Sequence, residues 1–376
     1  MATASKQRKE NSAVRSGIYH ILYDSQRLYT RQTLAESLGV SLPTLYKELN
    51  ELMEEGLVCD SGEEPSTGGR KARGLDIVPD ARFSIGVAMS EKSLRFVAAD
   101  LRLQELAYRS VPFDVRTCLD GTAPKITDYI EDFLKEVPLD RSRLLGVGVG
   151  VPGLVSEDHQ TLSFGPTLGV RDIPMQELLG DLPYPVHVDN DGSASGLAEN
   201  YVRRSTSSMA YISLEIGVGG AVHTGGRPYA GNNNRSGEFG HICVEPGGLH
   251  CSCGKTGCLE AYCSPIRIEK VFGVSIDEFF QGVAEHRPDY EDLLYDMLRH
   301  LAVGINSIRM ALDCDVVLGG FFSEYLIPYL PILRRYVVAG NPFDEDADFV
   351  QFSLFQHHIT PLGAALYHIS DFVENI

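Results

Sequence analysis

The chain has 376 residues, 43% of them hydrophobic and 22% charged, a globular balance that excludes a largely disordered protein. That length predicts two or three domains with a sizeable core. Lys and Arg total 33 against 51 Asp and Glu, and the net charge of -18 excludes a uniformly basic nucleic-acid coat.

The chain opens on a polar stretch, Met1 to Glu10, with no apolar run behind it, so no secretory signal is visible. The most apolar run, Leu144 to Val155, is broken by Gly146, Gly148, Gly150 and Pro152-Gly153 and cannot span a bilayer. A cytoplasmic protein with no membrane partner is the expectation.

Residues 1–73 carry ten basic and ten acidic side chains, so the remainder holds the whole -18. Within this neutral segment positive charge gathers in Lys6 to Arg31 and in Arg70 to Arg73. Val14, Ile18, Ile21 and Leu22 recur at helical spacing and predict a first helix. Thr33, Leu34 and Leu38 predict a short second helix closed by Gly39. Ser41 can cap a third, with Pro43 in its first turn and Leu45, Leu49, Leu52 and Met53 on one face. Helix, short helix, Gly turn, helix is the helix-turn-helix pattern. Leu57-Val58 starts a strand, Ser66 to Gly69 turns, and Leu75-Asp76-Ile77 returns, which completes a wing. A solvated helix with a charged linker, or a protein-contact module, shares part of this pattern. The basic wing turns the reading to DNA. Ser41, Thr44, Tyr46 and Lys47 on the third helix, and Arg70, Lys71 and Arg73 on the wing, are the candidate DNA contacts.

After residue 80 the pattern becomes α/β. Phe83–Val87, Leu94–Ala99, Leu144–Val151, Val186–Val188, Met209–Leu214, Gly220–His223 and Val316–Leu318 read as strands. Ile126–Val137, Ala194–Arg203, Ile266–Phe272, Ile276–Glu285 and Tyr290–Leu312 read as helices. Strands that run into Gly turns and then helices place ligand sites at strand carboxyl ends.

Cys251-Ser-Cys253-Gly-Lys-Thr-Gly-Cys258 supplies three soft ligands in eight residues, and Gly254 and Gly257 let the chain fold around one ion. His241, ten residues before Cys251, completes a Cys3His set of the kind that holds structural zinc. Cys243, His250 and Cys263 compete for the fourth position, and a loop of free buried thiols is the alternative to a metal site.

Three segments together carry a family resemblance. They are Glu215 to Gly220, Ser236-Gly-Glu-Phe-Gly-His241, and Cys251-x-Cys253-Gly-x-x-Gly257-Cys258-Leu-Glu260. Over about residues 80 to 370 the chain resembles the ROK family, which groups sugar kinases with sugar-responsive repressors. Asn190-Asp191, ahead of a helix with Glu199, matches the family's catalytic motif. The resemblance implies an α/β chain: an N-terminal winged helix-turn-helix over 1–80, then a two-lobed actin-like, sugar-kinase-like (ribonuclease H-like) domain. The small lobe would cover 81–189 with 361–376, and the large lobe 190–360 with the zinc site. It implies that His241, Cys251, Cys253 and Cys258 hold structural Zn2+, and that Asn190, Asp191, Glu238, His241 and Glu260 hold sugar hydroxyls. His241 would present one ring nitrogen to zinc and the other to sugar. Asp191 matches the general base of family kinases; it could instead cap a helix beginning near Ser193.

The departures bear on activity. Family kinases hold ATP phosphates with an Asp-x-Gly-Gly-Thr turn; here Ala88-Met89-Ser90-Glu91-Lys92 stands in its place. Their second phosphate turn reads Gly-Thr-Gly; here it is Glu215-Ile216-Gly217. The first change removes the acidic residue and both glycines and sets Glu91 where it would repel phosphate; the second removes a hydroxyl donor and adds a negative charge. The expectation is therefore a sugar-responsive repressor with no catalytic residue, binding operator DNA as a homodimer. An active sugar kinase with an accessory N-terminal domain is the alternative. A regulator answering to a protein partner is a third reading, against which the five sugar-type residues count.

Overall fold

A computed structural model describes residues 2–25, 27–63, 73–355 and 357–376, residues 2–12 and Glu63 by backbone alone. The chain begins with α1 (Ala2–Asp24), α2 (Arg31–Leu38) and α3 (Leu42–Glu54), followed by β1 (Val58–Glu63) and β2 (Arg73–Ile77) paired antiparallel. The first helix thus starts well before the first periodic apolar residue. Thr30 caps α2 in a reciprocal pair with Thr33. Gly39 ends α2 at φ 65, a conformation a side chain resists, and turns the chain into α3, which Ser41 caps. Ile18, Leu22, Leu34, Leu45, Leu49 and Leu52 fill the space between the three helices. The predicted turn at 66–69, with Arg70 and Lys71, lies outside the described residues.

The next stretch holds β3 (Phe83–Met89), β4 (Ser93–Asp100), β5 (Glu105–Pro112), α4 (Val115–Leu119), α5 (Ile126–Phe133) and β6 (Leu144–Val151). It continues with β7 (Leu154–Val155), β8 (Thr161–Gly165), β9 (Val170–Pro174), α6 (Met175–Leu179) and β10 (Val186–Asn190). A five-stranded sheet has the order β10-β6-β3-β4-β5, and β7-β8-β9 form a small antiparallel sheet beside it. The helix expected over Ile126–Val137 ends early at Phe133: after Leu134 the turns tighten to i+3 bonds ahead of Pro138.

The remainder comprises α7 (Asp191–Arg203), β11 (Met209–Leu214), β12 (Val218–Thr224), β13 (Arg227–Pro228), α8 (Leu259–Cys263), α9 (Ile266–Phe272), α10 (Ile276–Ala284) and α11 (Pro288–Leu312). Then come β14 (Asp315–Gly319), α12 (Phe321–Leu326), α13 (Leu330–Gly340), β15 (Val350–Phe352) and α14 (Ile359–Glu374). The second sheet runs β13-β12-β11-β14-β15. Its core is completed by Leu294, Leu298, Leu301 and Ile305 of α11.

α14 returns to the first sheet and sits between it and α7. The approach is backbone to backbone. A Cβ on Gly86 would lie 1.6 Å from the Pro361 carbonyl oxygen, and one on Gly148 would lie 1.8 Å from that of Ala364. Ile18, Tyr19, Leu22 and Tyr23 of α1 join one apolar cluster with Ala198 of α7 and Ile359, Leu366, Ile369 and Val373 of α14. Polar ties reinforce it. His20 donates from Nε2 to the Val373 carbonyl at 2.7 Å, and Arg102 donates to the Tyr23 carbonyl at 2.8 Å and to Asp76 at 2.7 Å. The Tyr23 and Tyr201 hydroxyls bond at 2.7 Å. The three-helix unit is thus fused to the α/β body rather than tethered to it.

Candidate functional site

β10 delivers Asn190 and Asp191 to the start of α7, and Gly192 there lies against the backbone of Gly220 on β12. Asn190, not Asp191, caps the helix. Its Oδ1 accepts from the Gly192 and Ser193 N–H groups at 2.8 and 3.1 Å, and its Nδ2 donates to the Gly153 carbonyl at 2.9 Å. The helix therefore starts three residues earlier than its apolar spacing indicates. Asp191, the first residue of the helix, accepts from the Gly192 N–H through its own Oδ1 at 2.9 Å. Burial, the nearby Glu215 charge and that of Glu238 push its pKa up to about 7, against the Gly192 N–H and Arg95. Glu199, two turns further on, is fully buried. It pairs with Arg203 at 2.6 Å and accepts from the Ser353 hydroxyl and the Leu354 N–H, so it serves packing rather than the cleft.

Glu238 opens a short turn, Phe239–His241, that packs on β12. Gly240 is obligatory there, since a Cβ would meet the Val218 carbonyl at 1.9 Å. His241 faces two ways: Nδ1 lies 3.8 Å from Cys251 Sγ and Nε2 lies 3.9 Å from Glu238 Oε2. Burial and the Glu260 charge raise the Glu238 pKa, while His241 opposes the shift. Glu260 is held by the Val218 N–H at 3.1 Å and by the Ser252 hydroxyl at 2.6 Å. The five hydroxyl-reading candidates therefore form one continuous run: Asn190 and Asp191, across to Glu238, then His241 and Glu260.

One donor atom from each of His241, Cys251, Cys253 and Cys258 lies within 4.8 Å of the others, and Cys253 Sγ is 3.8 Å from Cys258 Sγ. Tetrahedral zinc with Zn–S of about 2.3 Å needs S···S edges of about 3.8 Å, so the donors fit the ion in type and spacing. The rivals are placed elsewhere. Cys263 is buried and directs its S–H to the Met297 carbonyl at 3.5 Å. Cys243 and His250 frame the loop through backbone bridges to Cys258 and Thr256.

Two cleft residues escaped the sequence reading as partners. Arg95 on β4 offsets the charges of both Asp191 and Glu215. An arginine inside an otherwise apolar strand was the available signal. Glu215 is buried, which raises its pKa, and it accepts the Phe321 N–H at the start of α12 at 3.4 Å. The turn at Ser90 is closed by its own hydroxyls: Ser90 Oγ and Ser93 Oγ bond at 2.8 Å, and Ser90 N–H donates to the Ser93 carbonyl at 2.9 Å.

On α3, Ser41, Tyr46 and Lys47 are exposed and Thr44 is half-exposed. Ser41 and Thr44 share a hydroxyl bond of 2.8 Å, and Lys47 pairs with buried Glu48 at 3.0 Å. Arg73 at the start of β2 is 73% exposed and lies 3.7 Å from Asp60, which leaves its guanidinium open to a partner.

The ROK family profile matches residues 84–364. The xylose repressor of Bacillus subtilis (strain 168) is 28% identical over 324 residues, covering 83% of this chain and 79% of that protein. A glucokinase of Halalkalibacterium halodurans is 35% identical over 209 residues, covering 54% of this chain and 61% of that one. Among solved structures, a ROK family transcriptional regulator described as a homolog of E. coli MLC superposes with a TM-score of 0.73. It is 21% identical and covers 97% of each chain, which establishes the fold across the N-terminal unit as well as the body. No helix among the described residues is long and apolar enough to cross a membrane.

Proposed function

Because the chain belongs to the ROK family, we propose that it is a sugar-responsive transcriptional repressor that binds operator DNA and releases it when a sugar enters the cleft. The observation that carries this reading is the fusion of a three-helix, two-strand unit to a sugar-kinase-like body through one core. We assign residues 1–80 as a winged helix-turn-helix, 81–189 with 361–376 as the small lobe, and 190–360 as the large lobe. Operator contacts come from Ser41, Thr44, Tyr46 and Lys47 in the major groove and from the Arg70, Lys71 and Arg73 wing on phosphates. Asn190, Asp191, Glu238, His241 and Glu260 read the sugar hydroxyls. His241, Cys251, Cys253 and Cys258 hold Zn2+, which when bound supplies rigidity to the loop that carries His241 and Glu260. The protein acts as a cytoplasmic homodimer on a palindromic site.

α7 supports a route between the two activities. It starts at Asn190 and Asp191 and ends, about 20 Å away, at Tyr201 and Arg204, which bond Tyr23 and the Asp24 carbonyl of α1. A sugar that shifts the start of this helix shifts its contact with the DNA-binding unit.

The kinase reading draws support from the glucokinase relative and from Asp191. It is disfavoured by Glu215, whose carboxylate takes the helix N–H that a phosphate would need, and by the self-bonded Ser90 turn. A thermal-shift screen of monosaccharides and their phosphates identifies the effector, since a ligand of the folded state raises stability. Asp191→Asn is expected to weaken that effector's binding at least tenfold, about 1.4 kcal/mol, and to leave sugar-free DNA affinity unchanged. ATP consumption with the same sugar is expected to stay at background. Sustained turnover abolished by Asp191→Asn would establish the kinase instead.

For the DNA unit, replacing Arg70, Lys71 and Arg73 together by Ala is expected to weaken operator binding and reduce the salt slope by up to about 3. Thr44→Ala or Lys47→Ala is expected to alter sequence preference instead. Equal affinity and slope in the triple variant would remove the wing from the interface.

A further inference from the structure

A second cluster of metal-binding side chains lies on the face of the first sheet that α14 covers, at its β10 edge. His187 and Asp189 alternate along β10 and so project to the same side. His159, in the turn between β7 and β8, approaches from above. One donor atom from each of the three lies within 4.8 Å of the other two. The His159 and His187 rings are 4.4 Å apart, and the His187 and Tyr367 rings 4.1 Å.

His159 and Asp189 are oriented by hydrogen bonds, and His187 by its packing between the His159 and Tyr367 rings. His159 Nδ1 lies 2.7 Å from the Val188 carbonyl, to which it must donate, so Nε2 carries the lone pair. His187 Nε2 is buried with no hydrogen-bond partner among the described residues and lies 4.0 Å from Asp189 Oδ2. Asp189 Oδ2 accepts from the Tyr367 hydroxyl at 2.6 Å, and Oδ1 accepts from the Asn190 N–H at 2.7 Å. A backbone carbonyl behind one imidazole and a tyrosine hydroxyl behind the carboxylate are the outer supports that ligating groups use.

We propose that His159, His187 and Asp189 bind a divalent transition metal, separately from the Cys3His set. Two imidazoles and a carboxylate suit zinc and its neighbours in the first transition row rather than calcium or magnesium. Ligand distances near 2.1 Å call for donor separations of about 3.4 Å. His187 and Asp189 must therefore close by about half an ångström, and the turn that carries His159 moves most readily. A bound ion ties that turn to β10 one residue before Asn190, and Tyr367 links it to α14. Occupancy thus stiffens the strand that presents Asn190 and Asp191. The site stands on its own residues and does not depend on the sugar or DNA assignments.

The test is equilibrium dialysis of the full chain against Zn2+, with metal per chain counted by elemental analysis. Wild type is expected to bind two equivalents, the second more weakly because it has three protein ligands. His159→Asn removes one ligand yet tolerates the left-handed backbone of that position, φ 57. This variant and Asp189→Asn are expected to lose the second equivalent, or weaken it at least tenfold, while keeping the first. The rise in thermal midpoint caused by the second equivalent of Zn2+ is expected to vanish in both. Wild type that saturates at one equivalent overturns the proposal whatever the variants do. So does a second equivalent that survives in both variants.

Discussion

Gly86→Ala is expected to destabilise the protein by about 3 kcal/mol or more, because the added methyl group has nowhere to go. Its Cβ would sit 1.6 Å from the Pro361 carbonyl oxygen and 2.9 Å from the Ala365 nitrogen, both backbone atoms of α14. No rotamer change can relieve a clash with backbone. α14 must lift away from β3, and that separates Leu362, Leu366 and Ile369 from the cluster they share with α1. Gly219→Ala is the control: it has ordinary backbone and open space around its Cβ. Urea midpoints of the two variants decide the matter. An unchanged midpoint for Gly86→Ala would refute the packing argument.

Cys253→Ser is expected to abolish the tightly held zinc and, with it, the response to the effector. Structural zinc contributes about 10–16 kcal/mol to the folding of the segment it closes. Here that segment runs from His241 to Glu260, and the metal-facing nitrogen of His241 lies opposite the one that faces Glu238. Without the ion, His241 and Glu260 lose their fixed positions, so sugar affinity should fall at least tenfold. DNA affinity in the absence of sugar should persist, because α1, α2 and α3 draw on a different core. A zinc-free Cys253→Ser protein with full effector response would falsify the assignment of that loop to the sugar site.

What the sequence makes legible follows from range. Gly39 and Ser41 act within four residues of themselves, so the helix limits near them can be read from chemistry, whereas at Asn190 two adjacent residues can both cap and only the fold decides between them. The three clustered thiols span eight residues, and their spacing alone singles them out as metal ligand candidates. α14 is different. Its buried residues lie all round the helix, from Ile359, Thr360 and Pro361 through Ala364, Ala365 and Leu366, so it has no polar stripe to betray a period. β7 is too short for any alternation to register. The joint effect of Arg95 and Glu215 on Asp191 is invisible locally, since the two lie far apart in the chain and meet only across the cleft. Glu199 misleads for the same reason: a motif position near Asp191 is turned by one helical face toward Ser353 and Leu354.

The placement of α14 also bears on translation. The apolar residues of α1 that it covers, among them Ile18 and Tyr19, leave the ribosome well before residues 359–374, and α14 is the last of the described elements. During synthesis the first sheet therefore lacks its covering helix, and the DNA-reading unit lacks its seat. Docking waits until residues 359–374 have been made. A transcript cut short before them yields chains with bare apolar faces, which proteases and chaperones remove.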